Sequence, residues 1–204
     1  MEQAYRTLAR VCRAETAKIK GSRFIASGFP FAGEERLAQE IGRLRAEFRD
    51  ANHHCYAWRE GERFRYTDDG EPSGSAGRPI LRQIDAAGLD RTAVVVTRIF
   101  GGTKLGVGGL VRAYGAAAGE LLASADIAEV VPYRVVSVTV PYELGGAVAG
   151  VANTFSVEPT DSTFGERVRQ KFGVALDRVE AFVTALTDQT SGRAEIAVTD
   201  PDES

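Results

Sequence analysis

The chain has 204 residues, a formal net charge of −3, 44% hydrophobic residues and 26% charged ones. That suits a globular protein of one large domain or two small ones and excludes a disordered chain. No apolar run approaches the roughly 18 residues of a membrane span, and no secretion signal is legible among the mixed, charged first residues. Cys12 and Cys55 are the only cysteines, too few for a disulfide framework, so a reducing cytoplasm is expected. Residues 1–133 carry 19 Lys and Arg against 17 Asp and Glu, whereas residues 134–204 carry 6 against 11. A general basic coat for nucleic acid is therefore excluded, and any basic binding face is local to the first two-thirds.

In chain order, Tyr5–Val11 and Ser22–Phe29 read as strands separated by a polar stretch, with Lys18, Lys20 and Arg23 around the turn before the second. Leu37, Ile41, Leu44 and Phe48 recur at helical spacing over residues 34–48, with Glu34 and Glu35 in the first turn. His53–Arg59 and Arg63–Thr67 read as a hairpin around Glu60-Gly61-Glu62. On such a strand His53 and Cys55 face one way and His54 the other, too few ligands on one face for a metal. Pro79 suits the first turn of a helix, Ile80, Leu81 and Ile84 its buried side, and Gly88 its stop. Thr92–Thr97 is a short β-branched run of the kind buried on both faces of a sheet. Leu110, Tyr114, Ala117 and Leu121 then mark a helix over residues 110–122.

From residue 134 the pattern restarts. Residues 134–140 read as a strand, 142–152 as a helix, 154–158 as a strand, 159–162 as a turn, 164–172 as a strand, 174–186 as a helix and 194–198 as a strand. The order β-α-β-β-α-β is the ferredoxin-like split arrangement. Arg167, Arg169 and Lys171 share one face of its third strand, which reads most simply as a solvated sheet face.

Two loops in residues 68–109 carry the chemistry. The second, Phe100-Gly101-Gly102-Thr103-Lys104-Leu105-Gly106-Val107-Gly108-Gly109, is neither a P-loop nor a Rossmann fingerprint. Gly106 is followed by Val107 rather than by Lys and a hydroxyl residue, and Val111 stands where a third Rossmann glycine belongs. What remains is an anion cradle: Gly101, Gly102, Gly108 and Gly109 free the main chain, and Arg98, Lys104 and Arg112 supply charge, with Arg78 at the rim. The first loop, Asp68-Asp69-Gly70-Glu71-Pro72-Ser73-Gly74-Ser75-Ala76-Gly77-Arg78-Pro79, offers a carboxylate cluster of Asp68, Asp69 and Glu71. Such groups hold Mg²⁺, act as acid and base, or cap turns and helix starts, the last being the commoner use beside Gly and Pro.

These residues resemble a known family. Lys20-Gly21-Ser22-Arg23-Phe24-Ile25, His53-His54-Cys55-Tyr56-Ala57, the acidic loop Asp68–Gly77, and Phe100-Gly101-Gly102 through Leu110-Val111-Arg112-Ala113-Tyr114 are similar to motifs of the IMPACT family, in its bacterial YigZ-type form. The motifs cover residues 18–120. Two positions depart from the pattern: Ser75 stands where Thr is usual, and Ile99 where an aromatic is usual. The resemblance implies an α+β protein of two domains. Residues 1–133 would form a ribosomal-protein-S-five domain-2-like unit, as in domain IV of elongation factor G, and residues 134–204 a ferredoxin-like unit. It also implies a part in control of translation, and the anion cradle with its cations adds the expectation of a non-catalytic module with RNA or the ribosome as partner. A protein partner through the second domain is a further expectation. No cofactor, resident metal, membrane or DNA specificity is implied. The alternative is an enzyme acting on a phosphorylated small molecule, with Mg²⁺ at the two loops.

Overall fold

The computed structural model describes residues 4–201; residues 1–3 and 202–204, the outer ends of the two expected domains, lie outside it. The chain separates into two compact units, Tyr5–Val130 and the stretch from Val131 onward. Tyr133, placed by the sequence at the end of the first domain, opens a strand of the second. The architecture is α+β throughout.

The first unit is built on a five-stranded antiparallel sheet. Its strands are β2 (Cys12–Glu15), β3 (Arg23–Pro30), β4 (His53–Glu60), β5 (Arg63–Thr67) and β6 (Thr92–Ile99). They lie in the order β2-β3-β6-β4-β5. β6 is central, and residues 92–98 are all buried, as its β-branched run requires. Helix α1 (Glu34–Glu47) covers one face, packing Leu37 and Leu44 against Phe29, Trp58 and Val95. Helices α2 (Gly77–Ala86) and α3 (Val107–Ser124) cover the other, where Ile80, Ile84, Leu110, Tyr114 and Leu121 meet Phe24, Ala57 and Val94. The first predicted strand is shorter than expected. β1 (Tyr5–Leu8) leaves the main sheet and pairs with β7 (Ile127–Val130), while the polar stretch after it forms β2 on the sheet edge.

The second unit is a four-stranded sheet of β8 (Tyr133–Pro141), β9 (Pro159–Thr163), β10 (Arg167–Ala175) and β11 (Glu195–Thr199), in the order β11-β8-β10-β9. Helices α4 (Gly145–Phe155) and α5 (Val179–Gln189) cover one face. This is the ferredoxin-like order, but three boundaries differ from expectation. Thr154 and Phe155 end α4 rather than begin a strand; Ser156 then adopts the left-handed conformation at φ 52°, with Val157 N–H bonded to Ala152 O at 3.0 Å. The segment read as a turn, 159–162, is the exposed edge strand β9. β10 runs three residues later than expected, so α5 starts at Val179. No helix among the described residues is long and apolar enough to cross a membrane.

Candidate functional site

Antiparallel register sets the site. β4 and β6 pair His53 with Arg98, so both side chains emerge at one end of the sheet. The acidic loop leaves β5 at that end, and the glycine loop leaves β6 there. The two loops line a common cleft of about 490 Å³, whose walls include His53, Glu71, Arg98, Phe100, Lys104 and Val107.

Each carboxylate of the acidic loop is already engaged. Asp68 accepts from the backbone N–H groups of Ala76 and Gly77, both at 2.9 Å, and of Gly74 at 2.7 Å. It thereby fastens the start of α2, which lacks a capping side chain of its own. Gly77 fits because a Cβ there would come within 2.6 Å of the Thr67 carbonyl oxygen. Asp69, at φ 40°, accepts from the His54 N–H at 2.7 Å and meets Arg45 at 3.3 Å. Glu71 is only 4% exposed; its Oε1 lies 2.6 Å from Arg98 Nη1 and accepts the Tyr114 hydroxyl at 2.8 Å. The expectation that Asp68, Asp69 and Glu71 serve as one cluster is corrected. They point to three different sets of partners, and no group of metal-binding residues forms among the described residues. Of the three roles the residues left open, that of fastening a loop is the one in place.

Arg98 is corrected as well. It is not a free cation at the loop but a buried one, 6% exposed, neutralised by Glu71 and flanked by the rings of Phe24 and Phe100 at 5.6 and 5.4 Å. Its Nε is buried without a hydrogen-bond partner among the described residues. Burial raises the pKa of Tyr114, with Cys55 and Glu71 adding to the shift, so the phenol keeps its proton and donates. Burial likewise pushes the Cys55 thiol up, which leaves it unreactive.

The glycine loop divides into two halves with different purposes. The first half is structural: Gly101 N–H donates to Ser22 Oγ at 3.1 Å and Phe100 N–H to Asn52 Oδ1 at 3.0 Å. Gly101 is therefore removed from the anion cradle. Gly102 turns the chain at φ 88°. The second half is open. Gly106, at φ 72°, precedes α3, and no side chain caps the helix. The helix starts at Val107, three residues before the expected start, so Gly108 and Gly109 lie inside its first turn; their N–H groups and that of Val107 precede the first intrahelical bond, from Leu110 N–H to Gly106 O at 2.9 Å. Lys104 and Arg112 are exposed and form no hydrogen bond or ion pair among the described residues. Arg78 is exposed at the start of α2 but does not line the cleft. The arrangement offers oriented N–H groups and exposed cations to an anion.

His53, Phe100 and Tyr114 were missed as site residues. Tyr114 had a usable signal: a hydroxyl in an otherwise aliphatic helical stripe needs a buried partner. Phe100 and His53 had none, because their positions depend on where the two loops meet.

Comparisons with known proteins agree with the two-domain α+β fold. The Impact N-terminal domain family matches residues 20–122. The chain is 42% identical over 178 residues to an IMPACT family member in the pol 5′ region of Thermus thermophilus, covering 86% of this chain and 97% of that one. It is 32% identical over 181 residues to the IMPACT family member YvyE of Bacillus subtilis, covering 87% and 83%. YigZ of Escherichia coli is 42% identical over 110 residues, covering 52% and 54%. A crystal structure of a hypothetical protein superposes with a TM-score of 0.68 over 100% of both chains at 27% identity. The chain belongs to the IMPACT family.

Proposed function

We propose that the protein is a cytoplasmic, non-catalytic binding module that takes RNA, free or within the ribosome, by seating a backbone phosphate at the start of α3. The observation that carries this reading is that the uncapped N–H groups of Val107, Gly108 and Gly109 share one loop and helix start with Lys104 and Arg112, two cations unpaired among the described residues. Phe100, 43% exposed at the cleft, offers a ring on which a base stacks. A role in translation follows the family resemblance.

Phosphate contacts make binding salt-dependent and tolerant of sequence. In filter binding to single-stranded RNA, the double variant Lys104→Ala/Arg112→Ala should bind more weakly. The log–log salt slope should flatten by about 1.4, as two lost single-strand contacts require. Unchanged affinity and slope would remove the reading.

A second reading has one observation in its favour: the two loops enclose a concave cleft rather than an open basic surface. A free phosphorylated small molecule fits such a cleft. The engaged carboxylates take Mg²⁺ out of that reading, so it predicts thermal stabilisation by nucleotides without divalent ions.

A further inference from the structure

His53 turns an unfilled acceptor to the cleft. Its Nδ1 lies 2.8 Å from the Asp69 carbonyl oxygen. A carbonyl only accepts, so the proton of the neutral ring sits on Nδ1 and Nε2 keeps a lone pair. The charged group facing Nε2 is Glu71 Oε1, at 3.8 Å. That oxygen already accepts from Arg98 and Tyr114 and has no proton to give. Nε2 has no hydrogen-bond donor among the described residues. The ring is held by the Asp69 carbonyl, whose backbone is set at φ 40° and whose carboxylate is tied to His54 N–H. The acceptor is therefore preorganised.

The cleft thus has two polar demands of opposite kind. Its α3 end, with Lys104, calls for an anion. Arg98 also lines it, but its charge is already met by Glu71. The His53 wall calls for a donor. A purely anionic ligand meets only the first of these, and an apolar ligand neither.

We infer that the cleft recognises a ribose phosphate, with the sugar hydroxyl donating to His53 Nε2 while the phosphate rests at α3. This rests on the phosphate-binding reading above and adds a preference for ribose over deoxyribose. In a polynucleotide the 2′-hydroxyl is the group that separates RNA from DNA at a given site. A cleft of about 490 Å³ accommodates a ligand of this size. The ribose phosphate comes from an RNA strand or from a free ribonucleotide, and the two are separable.

The test compares oligouridylate with oligodeoxyuridylate, which share a base lacking an exocyclic amine, so the sugar is the only donor that changes. The wild-type protein should bind the ribo strand about fivefold tighter, the effect of one hydrogen bond. In His53→Phe the ratio should fall to about one. 2′-O-methyl oligouridylate, which lacks the donor, should bind the wild-type protein like the deoxy strand, a result that needs no variant to fold. Preference in the strands alone assigns the ligand to RNA. Preference also with uridine 5′-monophosphate over its deoxy counterpart assigns it to free nucleotide. Equal, salt-sensitive binding of ribo and deoxy strands would overturn the inference and leave the phosphate reading standing. Absence of salt-sensitive binding to any of these ligands would overturn both.

Discussion

Gly101 packs on Gly21 backbone to backbone: a Cβ on Gly101 would lie 1.9 Å from the Gly21 carbonyl carbon and 2.1 Å from Ser22 N. The turn before β3 and the turn after β6 are thus one contact, closed by the Ser22 hydroxyl on Gly101 N–H. The obstructing atoms are main chain at both ends, so nothing flexible can yield. Gly101→Ala should lower stability by about 1–3 kcal/mol. Gly108 differs: it is helical, and the nearest atom to a Cβ there is the end of the Arg112 side chain at 3.8 Å. Gly108→Ala should raise stability by about 0.4–1 kcal/mol. Opposite shifts of the two unfolding midpoints check the division of the loop; equal shifts would refute it.

Glu71 and Arg98 form the buried ion pair beneath the cleft, at 4% and 6% exposure. Removing one partner strands the other. Glu71→Gln leaves a guanidinium out of water without its counter-charge and should cost about 3–5 kcal/mol. Arg98→Met alone should cost a similar amount, because the buried Glu71 carboxylate keeps the Tyr114 hydroxyl and the His53 ring nearby but loses its counter-charge. Making both changes, Glu71→Gln with Arg98→Met, should cost less than the sum of the two. A double-mutant cycle by urea unfolding measures the coupling; additive losses would show that the pair is not a unit.

Asp68 fastens three backbone N–H groups of one loop. An amide offers a single carbonyl oxygen in place of two carboxylate oxygens, and its NH₂ faces donors. Asp68→Asn should therefore destabilise the protein by about 1–2 kcal/mol. Backbone hydrogen exchange should rise at Gly74, Ala76 and Gly77 before it rises in β6. Exchange that rises uniformly instead would assign Asp68 a different part.

How much of this could be read from residues alone follows from whether the signal was local. β6 announced itself through Thr92–Thr97, and α1 through its apolar spacing, because burial of one face writes a period into the sequence. β9 did not: Pro159–Thr163 is an exposed edge with no apolar alternation. The end of α4 was hidden because Ser156 takes the left-handed position where glycine is the usual signal. The same divide runs through the site. Gly108, Gly109, Lys104 and Arg112 are neighbours in the chain, so the sequence alone groups them. Glu71, Arg98, Tyr114 and His53 span 62 positions and meet only through strand register and loop closure. Charge types alone suggested that Asp68, Asp69 and Glu71 act in concert and that Arg98 is free, and neither holds once partners are assigned.

His54 provides a pH-dependent test of the packing behind the cleft. It is buried, with Nδ1 3.0 Å from Thr97 Oγ1. Burial pushes its pKa below the ordinary value; Arg45 and His53 add to the shift, and Asp69 opposes it. The unfolded chain takes up a proton at the ordinary histidine value of about 6.5, and the folded chain only at lower pH. In that interval the unfolded state binds more protons, so stability rises with pH. The His54 contribution is full above the ordinary value and is lost as pH falls through the folded one. His54→Asn keeps a polar atom near Nδ1 but cannot titrate. The unfolding midpoint of the wild-type protein should drop as pH is lowered below about 6.5, and that of the variant should drop less. Parallel curves would mean that His54 titrates alike in both states, and that the hydrogen bond to Thr97 does not hold the neutral ring.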